Sequence, residues 1–252
     1  MRFFIITGVS SGLGEAFADL SSREADTTVI GVSRRGNRAL EERVLDRGGR
    51  YFDHRIDLSR SSEVAAAASE VFAHLNNDED SEIVLINNAA VEGPLAPVGQ
   101  LDDRGIIGHV AVNLTACMLL SSMFIRFTQD WGAQRTIVNI TSGAAQHPYD
   151  GMSAYCASKA GLDMFGRCLA LEQEKAKNPV RILAIAPGVL DTPMQNRIRQ
   201  VDEALFPAKA RFVTLKEEGK LSSPTEAARR ILSLVYSGSF ESGAVLDLRT
   251  LT

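Results

Sequence analysis

Short apolar runs rich in β-branched residues recur along the chain, at Phe3–Thr7, Thr27–Val32, Tyr51–Ile56, Ile83–Asn87, Thr136–Ile140, Val180–Ala186 and Ala244–Leu248. Between them lie longer stretches whose apolar residues return at helical spacing, near 13–25, 38–47, 61–75, 103–129, 153–176 and 224–236. Runs that are apolar on every residue, such as Ile83-Val84-Leu85-Ile86, suit strands covered on both faces. Strands alternating with helices predict right-handed crossovers and an α/β fold, a doubly wound, seven-stranded parallel sheet with helices on both faces. No internal repeat or linker interrupts the alternation, so residues 1–252 read as a single domain. One stretch departs from it. Asp191 to Ser223 is long, mixed in character and placed between the sixth strand and the last helix, which predicts a lid over a ligand.

The first strand runs into Thr7-Gly8-Val9-Ser10-Ser11-Gly12-Leu13-Gly14 and then directly into a helix. Glycines at 8, 12 and 14 permit a tight turn and close backbone approach to a pyrophosphate, while the helix N-terminus offers free N–H groups to the anion. The spacing differs from the common Gly-x-Gly-x-x-Gly pattern, so the turn argues for a dinucleotide through its place on the first strand. The second strand ends Val32-Ser33-Arg34-Arg35. A site for NADH wants an acid here for the ribose 2′-hydroxyl, whereas a 2′-phosphate wants arginine. Ser33 stands where the acid would be and Arg34 follows, with Arg35 beside it, so NADPH is the expected cofactor.

Tyr155 and Lys159 are four residues apart on a predicted helix and share a face. Ser142 lies just beyond the fifth strand, which brings a hydroxyl, a phenol and an ammonium near the strand ends where open α/β sheets bind ligands. A phenol with a pKa near its reference of about 10 gives up its proton poorly at neutrality; a neighbouring ammonium is expected to lower that value. Tyr155 could then protonate a developing alkoxide that Ser142 holds by a hydrogen bond.

Composition narrows the classes. A net charge of −4 disfavours a nucleic-acid surface. The three cysteines, Cys117, Cys156 and Cys168, lack metal-ligand spacing and are odd in number, which suits a reducing, cytoplasmic setting. No metal site is expected. Neither a signal segment nor an apolar run of spanning length is evident, so no membrane role is expected either.

Taken together, Thr7–Gly14, Asn87-Asn88-Ala89-Ala90, Asn113, Ser142, Tyr155-x-x-x-Lys159 and Pro187-Gly188 resemble the short-chain dehydrogenase/reductase family in order and spacing across nearly the whole chain. The resemblance implies a Rossmann-like fold and a carbonyl reductase with Ser142, Tyr155 and Lys159 catalytic and Asn113 supporting a proton relay to Lys159. Lys159 would also hold the nicotinamide ribose; Asp57 and Leu58 would meet adenine; Asn87 would face the cofactor; and Pro187, Gly188, Val189 and Thr192 would border the nicotinamide. Two departures stand out. Ala90 replaces the glycine that usually ends the asparagine motif, and Ser11 stands where many NADP-dependent members have a basic residue. The segments around Ser142, Tyr155 and Pro187, together with Ser242-Gly243-Ala244 leading to Asp247, look like the sepiapterin reductase and benzil reductase branch. In sepiapterin reductases an aspartate matching Asp247 anchors the pterin, so Asp247 is a candidate substrate contact, equally readable as an acid ending the last strand. Ala144, Tyr149, Val189, Met194 and the apolar residues Leu205, Phe206 and Phe212 are the other expected pocket residues, and His147, on the same loop as Tyr149, is expected to be a bystander. Family members pair through the helices near 103–129 and 153–176, which implies a homodimer or homotetramer. A cofactor-sensing regulator on the same fold, or a pterin reductase proper, are the alternative readings.

Overall fold

The computed structural model describes residues 1–251; the last residue of the expected domain, Thr252, lies outside them. Its strands are β1 (Arg2–Thr7), β2 (Thr27–Ser33), β3 (Arg50–Arg55), β4 (Glu82–Asn87), β5 (Gln134–Ile140), β6 (Arg181–Ala186) and β7 (Ala244–Asp247). They form one sheet in the order β3-β2-β1-β4-β5-β6-β7, every neighbouring pair parallel. The order reverses between β1 and β4, and a sheet wound outward in both directions opens a crevice there, at the carboxyl ends of its strands.

The helices are α1 (Gly12–Ser21), α2 (Arg38–Asp46), α3 (Ser61–Phe72), α4 (Asp103–Val110), α5 (Ala116–Thr128), α6 (Ser153–Gln173), α7 (Pro193–Gln200), α8 (Lys209–Glu217) and α9 (Pro224–Ser237). Strand residues alternate between two cores. Phe4, Ile6, Val84, Ile86 and Val138 pack under α1, α2 and α9, while Ile5, Ile83, Leu85 and Ile137 pack under α3, α5 and α6. Covered on both faces, β1 and β4 are apolar almost without interruption.

Two elements differ from the sequence expectation. The stretch expected as one helix near 103–129 is α4 and α5 joined through a π-helical turn, Ala111–Thr115, which carries the buried Asn113. Such a turn sits within a continuous helical run and carries no glycine or proline to mark it, so the sequence reads straight through. By length and apolarity the run Asp103–Thr128 is also long enough to cross a membrane, which corrects the expectation that no such segment exists. In this structure Ala116, Leu120 and Phe124 of the run belong to the second core.

The excursion after β6 is not irregular: it folds into α7 and α8. Thr192 caps α7 by accepting from the Gln195 amide, and Pro193 begins the helix. Ile198, Phe206 and Phe212 form a third, small core with Leu95 and Met152 beneath the excursion. Both ends of the excursion meet. Leu190 and Ser222 form a parallel bridge, and Ser222 donates to the Val189 carbonyl while Asp191 donates back to the Ser222 carbonyl.

Candidate active site

The glycine turn is built by contacts that no larger residue allows. Gly8 and Gly12 adopt φ of +79° and +66°, the left-handed region open to glycine. A Cβ at Gly14 would lie 2.2 Å from the Gly8 carbonyl oxygen and 2.5 Å from Asn88 Nδ2. Thr7 locks the turn to the end of β4: its Oγ1 accepts from the amides of Asn88 and Ala89, and Asn88 Nδ2 donates to the Thr7 carbonyl at 2.8 Å. Ser11 precedes α1 without capping it through its side chain, which leaves the first amides of the helix for an anion.

From this turn a cleft of about 790 Å³ runs along the carboxyl ends of the strands, ample for a cofactor with a small substrate. Gly8, Ser10, Ser11, Gly12, Leu13, Ser33, Arg34, Arg35, Asp57, Leu58, Asn88, Ala89, Pro187, Gly188, Val189 and Thr192 all line it. Gly14 lies beneath the turn. Asn87 does not face the cleft; it is 1% exposed and donates from Nδ2 to Ser121 Oγ and Asn139 Oδ1, so the end of β4 meets the cleft through Asn88 and Ala89. The hydroxyl of buried Ser33 accepts from the Gly36 amide and shapes the turn on which Arg34 and Arg35 stand. Asp57 is held below the usual carboxylate range, chiefly by hydrogen bonding from Ser59, with Arg34 and Arg60 adding positive charge nearby. Uncapped helix end and glycine cradle together fit a dinucleotide.

Farther along the cleft, Ser142, Tyr155 and Lys159 line one wall. Lys159 is 2% exposed, donates to the Ile140 carbonyl at 2.8 Å and lies 5.9 Å from the centre of the Tyr155 ring. Burial pulls its pKa below the usual lysine range. Against the expected lowering, the Tyr155 pKa is raised. Burial pushes the phenol up to about 12 against an opposing hydrogen bond with Ser142. Desolvation is the largest cause, and the Lys159 ammonium gives one of its three protons to a backbone carbonyl. The shift favours the phenol over the phenolate, the form a proton donor needs.

Asn113 sits behind this wall rather than on it. Its Oδ1 accepts from the Val91 amide, and its Nδ2 donates to the Val91 carbonyl and to His109 Nε2. The side chain expected to support a relay is thus committed to the loop after β4 and to His109.

Sequence reasoning passed over His109. It is 2% exposed, bonds the Gly93 carbonyl through Nδ1, and stands edge-on to Tyr155 with ring centres 5.9 Å apart. The signal was available, since His109 and Asn113 are one helical turn apart.

Among the expected substrate residues, Ala144, Tyr149, Val189, Met194 and Phe212 line the cleft, whereas Leu205 and Phe206 do not, Phe206 being fully buried in the third core. His147, expected to stand by, lines it too. Asp247 does not. Both of its carboxylate oxygens accept from Arg249, and Arg249 lines the cleft in its place. Hydrogen bonding from Arg249 holds Asp247 below the usual carboxylate range.

A family model of short chain dehydrogenases matches residues 2–203. The chain is 40% identical to a benzil reductase, (S)-benzoin forming, of Bacillus cereus, over 98% of this chain and 99% of that protein. It is 32% identical to the sepiapterin reductase of Mus musculus, over 96% and 95%. In three dimensions it resembles the crystal structure of the KRED1-Pglu enzyme, with a TM-score of 0.82 and 31% identity over 98% of this chain and 100% of that one.

Proposed function

Because the chain belongs to the short chain dehydrogenases, NAD(P)H-dependent oxidoreductases and here carbonyl reductases, we propose that it reduces a ketone or diketone with NADPH, Tyr155 acting as general acid. The observation that carries the reading is that Ser142, Tyr155 and Lys159 line the same cleft as the glycine turn and Arg34. When bound, the reduced nicotinamide supplies hydride to the carbonyl carbon. Ser142 donates to the carbonyl oxygen and fixes its position. Tyr155 gives its proton to that oxygen as it becomes an alkoxide, a far stronger base than phenolate. The buried ammonium of Lys159 stabilises the phenolate that remains, most effectively in this water-poor wall. Asn113 and His109 keep the loop after β4 and the rear of the Tyr155 ring in place. At the far end Arg34 recognises the 2′-phosphate. Benzil, for which the Bacillus cereus relative is named, is a vicinal diketone and the natural first probe.

The test follows NADPH oxidation with benzil, other ketones, quinones and sepiapterin, in wild type and Tyr155→Phe. The variant keeps the ring and loses the transferable proton, so kcat should fall by about 10²–10⁴ while NADPH affinity holds. Turnover by Tyr155→Phe near the wild-type rate, or NADPH binding without turnover of any carbonyl, would refute the proposal, the latter in favour of a sensor.

A further inference from the structure

The charges on the cleft wall are unevenly shared. Asp57, at the Arg34 end, is the single carboxylate-bearing residue lining the cleft among the described residues. At the other end, around Ser142, the wall carries Arg197, Arg211, Arg249 and His147 and no acid. The acids of this region stand behind the cations. Glu92 takes both its bonds from Arg197, and Asp247 takes its own from Arg249. Arg211, on α8 of the lid, has no acid partner among the described residues. It donates to Tyr149 Oη at 3.1 Å, with its guanidinium 5.4 Å from the centre of that ring.

Arg249 is aimed at the reacting end. Its Cγ and Cδ pack over Gly188, 3.3 and 3.5 Å from where a Cβ would stand, and its Nη2 is 3.5 Å from the corresponding point on Gly143, the neighbour of Ser142. Asp247 engages Nε and Nη2, which leaves Nη1 and one Nη2 proton of the five guanidinium N–H groups for a ligand. The aspartate behind it fixes the fork, so little freedom is lost when a ligand is bound.

We propose that Arg249 and Arg211 select a carbonyl substrate that bears a carboxylate, an oxo acid, Arg249 holding it from the strand side and Arg211 from the lid. The inference rests on the carbonyl reductase reading and adds the charge of the substrate to it. The same arrangement removes Asp247 as an anchor for a cationic or amidine-like ring, because its oxygens are already filled.

The probes are benzoylformate and its methyl ester, the same ketone with and without the negative charge. Wild type should show the higher kcat/KM for the acid. Arg249→Leu and Arg211→Leu should each lower the acid-to-ester ratio at least tenfold, mainly through KM, as expected for loss of a charge-assisted hydrogen bond. Arg→Lys at either position should restore part of it. The double variant Asp247→Asn, Arg249→Leu separates loss of the cation from exposure of the acid behind it, and should show the same lowered ratio. A wild type that prefers the ester, or ratios that move less than twofold in both leucine variants, would overturn the assignment. Should no carbonyl be reduced at all, the reductase reading fails by itself and titration of benzoylformate alone decides this one: binding lost in the leucine variants upholds it, and binding that is absent or indifferent to them overturns it.

Discussion

Gly14→Ala adds one methyl group at the glycine with the nearest neighbouring atom. The new Cβ would stand 2.2 Å from the Gly8 carbonyl oxygen, where ordinary contact begins at 3.4 Å, so something must move by more than 1 Å. Neither side yields cheaply. The Gly8 carbonyl belongs to a turn tied to β4 through Thr7 and Asn88, and Asn88 Nδ2 itself stands 2.5 Å from the added atom. Overpacking of this kind costs about 1–3 kcal/mol. Because the same turn must present its amides to the pyrophosphate, a comparable share should be lost from cofactor binding, about ten- to a hundredfold in Kd. Urea denaturation reads the first quantity and NADPH fluorescence titration the second, with Gly99→Ala, where nothing lies within 4 Å of the added methyl, as the matched control. Gly14→Ala with control-like stability and unchanged NADPH affinity would refute both the packing argument and the assignment of the turn to the pyrophosphate.

Arg34→Ala should weaken NADPH binding by about ten- to a hundredfold and leave NADH nearly untouched, while Ser33→Asp should shift preference toward NADH; equal loss for both cofactors in kcat/KM would show that Arg34 serves something other than the 2′-phosphate. Burial holds His54, His74 and His109 below the ordinary histidine pKa, so on acidification the unfolded chain takes up protons first and stability falls as pH drops through that ordinary value toward the folded-state pKa values. The 3.0 Å Nε2–Nε2 contact of His54 with His74 requires one unprotonated nitrogen, so His54→Gln should flatten the decline in urea midpoint between pH 7.5 and 5.5 relative to wild type, and a variant whose decline matches that of the wild type would refute this. Glu82 and Asp163, raised by burial, act in the opposite sense, which is why the variant comparison carries the test. Ile107, on α4, and Leu171, on α6, are 68% and 62% exposed, with Met118 and Met164 also exposed on the same group of helices. Light scattering should therefore give a dimer or tetramer that Ile107→Asp shifts toward monomer, and a monomeric wild type at micromolar concentration would count against a shared apolar face.

The parts of the fold that were plain in the chain are those governed by burial alone. Strands β1 and β4 are apolar because both faces are covered, and no competing signal blurs them. β5 begins two residues earlier than its apolar run because Arg135, 3% exposed, is buried in a strand while its guanidinium bonds the carbonyls of Thr128 and Asn178. A pattern of apolar positions cannot register a charge satisfied in this way. α7 escaped notice because it has one buried apolar residue, Ile198, in an otherwise polar segment and is defined mainly by its Thr192 cap and Pro193. In the cleft, residues on the glycine turn and at strand ends could be placed from position alone. Asn87 and Asn88 could not be told apart, since adjacent strand residues point to opposite faces and the difference lies in Thr7, far away in sequence. Arg249 was missed although it is two residues beyond Asp247; its reach into the cleft depends on the bare backbones of Gly143 and Gly188, which only the folded chain brings beneath it.

The joining of the two ends of the lid at Leu190 and Ser222 makes that segment a cassette. It leaves the sheet and returns to it at one point, so its length and contents are not coupled to the spacing of β6 and α9. A foreign segment that keeps the Val189–Ser222 clasp, and Thr192 where it packs beside Gly12, can be grafted there without disturbing strand register. Acceptor preference can in this way be rewritten on one side of the cleft while hydride and proton chemistry stay untouched on the other, a division of labour that suits this architecture to redesign by segment exchange.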